Sequence, residues 1–506
     1  MVDNIILDTL TNPTLAKGAS PLISTKVGER DGTRGGGQPD GQLYDMNRIQ
    51  YLGSFAINAG ADTTNPENGD TSHKSADTNI GFRPPNGSNG VYGSIMLPFN
   101  GFQKFNGSKL TEVYIPETLS FSSDHNDLAL ANPVYTPVAI SDTHAGINPN
   151  TGTDTIGWAQ EIDGRLFMSI YGSYDADAKN DTCLAIYDNP DDLLNSTGTG
   201  FISTSASDFG VGYASPIPPE YQSVLGGTWM MGSGNNNSIL SRFSQGPAIW
   251  SFNPSSVSNG DASMSATVHL NYPYRLDLSQ PEFPYDTSYM LSGYAGDIDG
   301  YNEGILKWYV QDQLGYIYNQ NEFDGSGDPI LSGYLEYLAS SPRIPFDTLE
   351  PPPASILNDL WNYFCSISLA FIVPGTRTLM CVGSMGGRRY GGGYKAPYLD
   401  GGPAPGGQNP VDRDDLDHWY WLFDMDDILS ASTTYEPRPY ARGVWDNNRW
   451  LKPTSTYTDN PSATDRSAGR KIGGFFDQGT GRLYLSTFPH KVGFWDTSVV
   501  SVYQIV

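Results

Sequence analysis

One pair of short motifs recurs along this chain at a nearly constant separation, and this repeat restricts the fold more than any other feature of the sequence. The first motif, GRLFMS at 164–169, returns near the C-terminus as GRLYLS. Each copy precedes a second motif that carries a tyrosine: Leu166 lies 21 positions before Tyr187, and Leu483 lies 20 positions before Tyr503. Both motifs are short apolar segments bounded by turn residues, which is typical of β-strands. The chain is therefore expected to repeat a small all-β unit.

Three further pairs of segments share this order, in which an apolar segment is followed by a strand that ends in a turn. They are VYGSIML with LTEVYIPETL, GGTWMMGSG with AIWSFNPSSV, and TRTLMCVGS with HWYWLFDMDDIL, and in the last pair the separation is about twice as long because a Gly-rich stretch lies between the two segments. Four-stranded units of about 40–50 residues are the blades of a β-propeller. The distance from Phe252 to Phe423 leaves room for another unit, whose strands are assigned to GILKWYVQDQLGYIYN at 304–319. The sequence thus predicts one β-propeller of about six four-stranded blades, with five or seven as the alternatives.

The segment IQYLGSFAI at 49–57 precedes the first repeat. We expect it to complete the last blade beside the C-terminal strand, because that pairing leaves no open sheet edge where the ring closes. The propeller is accordingly assigned to residues 49–506. A two-sheet sandwich or a string of small β-domains is the competing architecture, but repetition of one motif pair favours the ring.

Composition and charge limit the partners of such a fold. The 57 glycines, 36 prolines and 31 tyrosines suit short strands joined by turns. The formal net charge of −26 disfavours nucleic acid and anionic membranes as partners. No apolar run reaches transmembrane length, so membrane insertion is not expected. The N-terminus lacks the features of a usual signal peptide, and we expect the protein in a virus particle or outside the cell.

Four segments carry a resemblance to known proteins: YASPIPPEYQSVLGG, HWYWLFDMDDIL, RPYARGVW and FFDQGTGRLYLS. They resemble a group of uncharacterised propeller-like proteins of bacteria and marine phages. The resemblance covers roughly residues 49–506 and implies the propeller fold. It implies no reaction, and no catalytic residue is carried over from it.

Residues 1–48 lie outside that resemblance and are predicted to form an extended polar N-terminal arm. The centre of the arm, GERDGTRGGGQPDG, is rich in glycine. Such a segment buries too little apolar surface to order itself. It would therefore be held either by its own propeller or by a neighbouring subunit.

A second unusual stretch is the insertion at 384–415, SMGGRRYGGGYKAPYLDGGPAPGGQNPVDRDD. Loops of this length are often functional. The insertion concentrates basic and aromatic residues in an acidic chain, and arginine and tyrosine are frequent at binding hot spots. The alternative is a solvated loop that packs over one face of the propeller. The predicted ligand-binding residues are Arg388, Arg389, Tyr390, Tyr394 and Lys395.

Catalytic and metal-binding patterns are weak. Glycoside hydrolysis needs paired carboxylates, but no spacing selects a pair among the acids considered, which are Asp163, Asp297, Asp299, Glu303, Asp414 and Asp415. No catalytic residue is therefore predicted. Alternating oxygen donors at 175–177 and 324–328 would suit calcium. Solvated turns in an acidic chain share these spacings, so calcium is an option and no cofactor or metal ligand is assigned.

These observations favour a non-enzymatic structural and binding protein of phage type, a tail or capsid appendage or other virion component. Its expected partners are other copies of itself, neighbouring structural proteins and a host-surface glycan or receptor. The alternatives are a carbohydrate-active propeller enzyme, either a glycoside hydrolase or a lyase, and a bacterial extracellular scaffold.

Overall fold

The fold is all-β and is taken from a computed structural model. The structure describes residues 41–57, 80–99, 109–139, 155–171, 182–193, 195–196, 198–206, 210–232, 246–258, 261–272, 366–385, 416–434, 436–445, 447, 472–492 and 495–505. Within these residues no helix is long and apolar enough to cross a membrane.

Short strands make up most of the described residues. In chain order they are β1 (Gln50–Ile57), β2 (Gly81–Arg83), β3 (Ser94–Phe99), β4 (Lys109–Tyr114), β5 (Ala129–Ala131), β6 (Pro133–Ala139), β7 (Thr155–Ile162), β8 (Arg165–Tyr171), β9 (Thr182–Tyr187), β10 (Gly198–Thr204), β11 (Tyr213–Pro216), β12 (Trp229–Gly232), β13 (Gly246–Phe252), β14 (Ser263–Met264), β15 (Ala266–Tyr272), β16 (Ser366–Ile372), β17 (Thr378–Met385), β18 (Asp417–Asp424), β19 (Pro439–Val444), β20 (Gly473–Asp477), β21 (Arg482–Val492) and β22 (Trp495–Gln504). Among the described residues there are also two short α-helices, α1 (Pro219–Leu225) and α2 (Met425–Ser430).

These strands form five sheets, which are the blades of a β-propeller. From the innermost strand outward, blade 1 is β2-β3-β4-β6, blade 2 is β7-β8-β9-β10, blade 3 is β11-β12-β13-β15, blade 4 is β16-β17-β18-β19 and blade 5 is β20-β21-β22-β1. The recurring motif pair supplies the second and third strands of every blade. Leu166 pairs with Tyr187 in blade 2, and Leu483 pairs with Tyr503 in blade 5. The repeat found in the sequence is therefore confirmed as a pair of neighbouring strands.

The two ends of the propeller meet in blade 5. Strand β1 pairs antiparallel with β22, and Phe55 lies opposite Val500. The hydroxyl oxygens of Ser54 and Ser501 are 3.0 Å apart, and both serines are buried. The predicted closure of the ring by its N- and C-terminal strands is confirmed.

The ring is complete with five blades. The innermost strands contact one another in a closed cycle, β2 with β7, β7 with β11, β11 with β16, β16 with β20, and β20 with β2. The Phe82 and Phe475 rings stack 4.8 Å apart where blade 5 meets blade 1. The Phe371 and Phe476 rings stack 4.2 Å apart where blade 4 meets blade 5.

This cycle corrects the expected number of blades from about six to five, which was one of the alternatives. Blades 3 and 4 are in contact through β11 and β16, although residues 273–365 separate them in the sequence. Residues 304–319, which were assigned to a sixth blade, lie outside the described residues. The length of chain between two repeats was therefore a poor guide to the number of blades.

Adjacent innermost strands approach one another closely because two positions lack a side chain. A Cβ atom added at Gly81 of β2 would lie 1.3 Å from the carbonyl oxygen of Ala159 in β7. A Cβ atom at Gly157 of β7 would lie 1.9 Å from the carbonyl oxygen of Val211, just before β11. No side chain fits these positions without moving backbone, so glycine permits the narrow ring.

The apolar core lies between neighbouring blades. One cluster joins Phe167 and Leu184 of blade 2 to Met231 and Phe252 of blade 3. Similar clusters join blade 4 to blade 5 and blade 5 to blade 1. A further cluster joins blade 1 to blade 2, so blades 1, 2 and 5 bury apolar side chains on both of their surfaces, as expected for sheets that pack face to face.

In three blades, the connection between the third and fourth strands forms backbone hydrogen bonds with the outer strand of the preceding blade. In blade 1 this connection contains β5, which pairs parallel with β1 of blade 5. In blade 3 it contains β14, which pairs parallel with β10 of blade 2. In blade 4 the carbonyl oxygen of Thr434 accepts a hydrogen bond from the Asn271 N–H of blade 3, at 2.8 Å. These contacts pair backbone groups at outer strands that would otherwise be sheet edges.

Candidate functional site

The propeller has one face on which its innermost strands end. The connections that follow these strands are 84–93, 163–164, 217–228, 373–377 and 478–481, and we call this surface the turn face. Contacts between blades place these connections together. The Tyr221 hydroxyl of α1 donates to the Thr376 carbonyl oxygen at 3.0 Å. The Gly375 N–H donates to Glu220 at 3.2 Å.

On the opposite face the chain passes from second to third strands and from one blade to the next. Apart from residues 1–40, which precede the segment on the turn face, the longer stretches outside the described residues are attached to the opposite face: 58–79, 100–108, 140–154, 172–181, 233–245, 273–365, 386–415 and 448–471. Strand β17 extends through Met385, so the described chain continues slightly into the predicted insertion. Met385 pairs with Asp417 of β18, so the two ends of the insertion are adjacent.

The end of the predicted N-terminal arm packs on the turn face of blade 4. Tyr44 is 2% exposed, and its N–H donates to the Thr378 hydroxyl at 2.8 Å. The Tyr440 hydroxyl donates to the Tyr44 carbonyl oxygen, also at 2.8 Å. Burial raises the pKa of the Tyr440 phenol, so this hydroxyl is a proton donor at neutral pH. Residues 41–48 therefore contact the propeller, and residues 1–40 lie outside the described residues.

A cavity of about 570 Å³ opens on the turn face, and we call it the axial pocket. Its lining residues come from blades 2, 3 and 5: Asp163, Pro216, Ile217, Pro219, Gln222, Thr228, Trp229, Asn253, Ser255, Gln478 and Gly479. Blade 5 neighbours blades 1 and 4 in the ring, not blades 2 and 3. A cavity that touches all three blades must therefore lie across the axis of the propeller.

One wall of the axial pocket is aromatic and apolar. Trp229 begins β12, where it pairs with Phe252 of β13. Part of its ring packs against the cluster between blades 2 and 3, and the rest is accessible. Pro216, Ile217 and Pro219 extend this wall. The indole is therefore fixed by packing on one side and available for contact on the other.

The other lining groups are amides and hydroxyls held by short-range hydrogen bonds. The Asn253 side-chain oxygen accepts from the Ser255 hydroxyl at 3.1 Å and from the Thr228 hydroxyl at 3.4 Å. The Gln222 amide nitrogen donates to the Ile217 carbonyl oxygen at 2.9 Å. Gln478 lies in the turn after β20. These groups offer both donors and acceptors to a ligand.

Asp163 supplies the carboxylate of the axial pocket. It lies in the two-residue turn between β7 and β8, with φ of 52°, and Gly164 follows with φ of 77°. Asp-Gly is a preferred pair for such hairpin turns because both residues need positive φ. Among the described lining residues, Asp163 is the one charged side chain.

A second polar cluster joins blades 1 and 2 on the turn face. Arg83, at the end of β2, is 3% exposed and forms ion pairs with Glu112, Glu161 and Asp191. Glu112 is fully buried and also accepts a hydrogen bond from the Ser94 hydroxyl. Burial opposes the charge on Arg83, but hydrogen bonds to Asp191 and Glu161 and the charge of Glu112 raise its pKa. The arrangement satisfies a buried charge and connects two blades.

The structure brings one of the acids considered in the sequence, Asp163, to the axial pocket. The other five, Asp297, Asp299, Glu303, Asp414 and Asp415, lie outside the described residues. The predicted ligand-binding residues Arg388, Arg389, Tyr390, Tyr394 and Lys395 also lie outside them, as do the calcium-type spacings at 175–177 and 324–328. Within the described part of the chain, no group of three or more His, Cys, Asp or Glu residues could hold a metal ion.

Sequence reasoning did not find the axial pocket, because its lining comes from three distant parts of the chain. A signal was present in the repeat itself. The turns that precede GRLFMS and GRLYLS occupy equivalent positions and contribute Asp163, Gln478 and Gly479. Equivalent turns of a propeller lie around its axis, so repeat alignment could have indicated this location.

Comparison of the chain with protein-family models, with curated proteins and with solved structures gives no match. The resemblance to propeller-like proteins of bacteria and marine phages therefore stays a prediction.

Proposed function

We propose that this protein is a non-enzymatic structural propeller of a virus particle. In this proposal, residues 1–48 attach it to other copies and to neighbouring structural proteins. The insertion at 384–415 meets a host-surface glycan or receptor. One observation carries the proposal: the described end of the arm and the start of the insertion lie at opposite ends of a single strand.

That strand is β17 of blade 4. Its first residue, Thr378, accepts the hydrogen bond from Tyr44 of the arm. Its last residue, Met385, is followed by the insertion. A strand rises about 3.3 Å per residue, which separates the two ends of β17 by roughly 23 Å. One face of the propeller can therefore be attached to a particle while the other remains available to a receptor.

The described end of the arm is firmly held. The Arg377 N–H donates to the Gln42 carbonyl oxygen at 3.2 Å, in addition to the contacts of Tyr44. The Arg48 guanidinium lies 5.3 Å from the centre of the Tyr44 ring, a cation–π contact. Residues that precede position 41 thus begin from a fixed point on the turn face.

The composition of the insertion supports a receptor role for the opposite face. Arg388, Arg389 and Lys395 lie close in sequence to Tyr390 and Tyr394, in a chain whose net charge is −26. Guanidinium groups bind carboxylates and stack on planar surfaces, and tyrosines offer aromatic area with a polar tip. This local chemistry suits a glycan that carries hydroxyl and acidic groups.

Two variants separate the two roles. The first lacks residues 1–40, and the second replaces residues 386–415 by a short Gly-Ser linker. We expect the first to be missing from purified particles and the second to be incorporated but to lose attachment to host cells. Electron microscopy and mass spectrometry of particles measure incorporation, and an adsorption assay measures attachment. Arg438→Gln, a change at the turn face of blade 4, is the control and should alter neither readout.

Absence of the full-length chain from particles would remove the virion proposal. Unchanged adsorption of particles that carry the linker variant would remove the receptor role of the insertion. The alternative of a carbohydrate-active enzyme is favoured by one observation, the presence of Asp163 in the axial pocket. Release of new chain ends from a polysaccharide, lost in Asp163→Asn, would favour that alternative.

A further inference from the structure

We propose that the axial pocket is a separate binding site for a small saccharide, with a preference for uncharged or amine-bearing sugars over acidic ones. The site is formed by blades 2, 3 and 5 and lies on the face opposite the insertion. Its ligand would therefore be independent of the proposed receptor.

Size and position agree with a small-molecule site. Ligand pockets typically measure about 300–1,000 Å³, and the axial pocket measures about 570 Å³. Its lining converges from three blades of a closed ring, so its shape is set by the fold rather than by one loop. A site built on a closed ring is largely formed before the ligand arrives.

The arrangement of polar and aromatic groups favours a sugar over an apolar ligand. A pyranose ring has polar hydroxyls at its edge and a face of C–H groups. Trp229 provides an accessible aromatic surface for such a face. Gln222, Asn253, Ser255 and Gln478 provide side chains that both donate and accept hydrogen bonds, as sugar hydroxyls require.

Charge determines which sugars the site selects. Asp163 is the one charged side chain among the described lining residues, and the chain as a whole carries a net charge of −26. A carboxylate or sulfate group on the ligand would face this negative field without a basic partner in the described lining. An ammonium group would pair with the Asp163 carboxylate, and the aromatic face of Trp229 also attracts cations. We therefore expect amine-bearing sugars to bind best and acidic sugars to bind worst.

The test is calorimetric titration of the full chain with three probes: the neutral N,N′-diacetylated glucosamine disaccharide, the amine-bearing glucosamine disaccharide and the acidic trisaccharide sialyllactose. We expect the first two to bind and the third to bind at least about tenfold more weakly, which is a free-energy difference of about 1.4 kcal/mol. Equal or tighter binding of sialyllactose, or binding of none of the three by the folded chain at millimolar concentration, overturns the proposal.

Three variants connect the binding to the axial pocket. Trp229→Ala should weaken the binding of both preferred probes by about tenfold or more. The affinity of Trp229→Phe should lie between those of Trp229→Ala and the natural chain. Asp163→Asn keeps a residue that tolerates positive φ. It should weaken the amine-bearing disaccharide by about fivefold, and the neutral one by less than about twofold. Unchanged affinity in both Trp229 variants would place the binding elsewhere and overturn the proposal.

Phe121→Ala is the matched control, because Phe121 is an aromatic residue that is 72% exposed and lies outside the axial pocket. It should leave all affinities unchanged. The linker variant of residues 386–415 should also keep its saccharide affinity, and Trp229→Phe should keep its attachment to host cells. Saccharide affinity tests the axial pocket and attachment to host cells tests the proposed virion function, so a negative result for one proposal does not decide the other.

Discussion

The turn face and the opposite face of this propeller differ in the length of the connections that join their strands. On the turn face, described hydrogen bonds and ion pairs join the connections to one another and to neighbouring blades. Arg83 contacts Asp191 across blades 1 and 2, and Tyr221 contacts Thr376 across blades 3 and 4. On the opposite face, residues 100–108, 172–181, 233–245 and 386–415 each join two strands that pair with one another. We therefore expect the turn face to stabilise the ring and the opposite face to accept added sequence.

Two local features illustrate how the turn face is specified. Asp424 is the last residue of β18, and its side chain accepts a hydrogen bond from the Asp426 N–H at 3.0 Å. This contact caps the N-terminus of α2. Asp163 and Gly164 form the tight turn between β7 and β8. Both depend on side chains or backbone conformations that few residues supply. On the opposite face, in contrast, the ends of β17 and β18 are fixed by the pairing of Met385 with Asp417, whatever length of chain joins them.

The largest effect is expected on the turn face from Arg83→Met. Glu112 is fully buried, and removal of its cationic partner leaves an uncompensated charge. We expect the free energy of unfolding to fall by about 3–5 kcal/mol. Urea unfolding followed by circular dichroism measures this change.

The same variant has an internal check. Adding Glu112→Gln removes the buried charge, so the double variant should recover part of the lost stability. Arg438→Met, a similar change at a half-buried arginine of blade 4 that donates to the Glu436 and Pro437 carbonyl oxygens, should cost less, about 0.5–1.5 kcal/mol. If Arg83→Met proved as mild as Arg438→Met, the turn face would not be the stabilising side.

A smaller decrease in the free energy of unfolding is expected from Tyr44→Ala, a variant that tests whether residues 41–48 are part of the folded propeller. Tyr44 is 2% exposed, and its side chain is packed in the cluster between blades 4 and 5. We expect a loss of about 2 kcal/mol, because the segment can detach locally while the ring stays folded. Limited proteolysis should then cut near residue 44, whereas Tyr44→Phe should resist cleavage. Equal protease resistance of the Ala variant would mean that the segment is held mainly by its backbone contacts.

The smallest effect is expected on the opposite face. Replacement of residues 386–415 by a short Gly-Ser linker should change the free energy of unfolding by less than about 1 kcal/mol, since the cost of closing a loop varies slowly with its length. The adjacent ends at Met385 and Asp417 allow a short hairpin connection. A loss comparable to that of Arg83→Met would contradict the difference between the faces.

The sequence predicted the parts of the fold that depend on long apolar strands. Second and third strands were found because pairs such as Leu166 with Tyr187 and Leu483 with Tyr503 are separated by similar distances, and the closure was predicted because pairing of β1 with the C-terminal strand leaves no open sheet edge. Innermost strands were not found because the recurring motif pair does not include them, and some of them, such as Gly81–Arg83, are very short. The number of blades was overestimated because residues 273–365 were counted as structure that the ring does not require.

The candidate site was less accessible to sequence reasoning than the fold. Asp163 and Gln478 both line the axial pocket but lie far apart in the chain, and neither belongs to a known motif. Their proximity follows from the order of blades, which only the closed cycle of innermost strands fixes. The residues predicted to bind a ligand, Arg388 to Lys395, were selected by composition, and the described residues do not test them.

The pairing of β1 with β22 has a consequence for folding of the chain during its synthesis. Ser54 and Ser501 are 447 residues apart in the sequence. At about 5–20 residues per second, β1 waits roughly 20–90 seconds for its partner to be synthesised. During that interval the nascent chain carries an unpaired strand, so a chaperone that shields the N-terminal portion during translation should raise the yield of correctly closed rings.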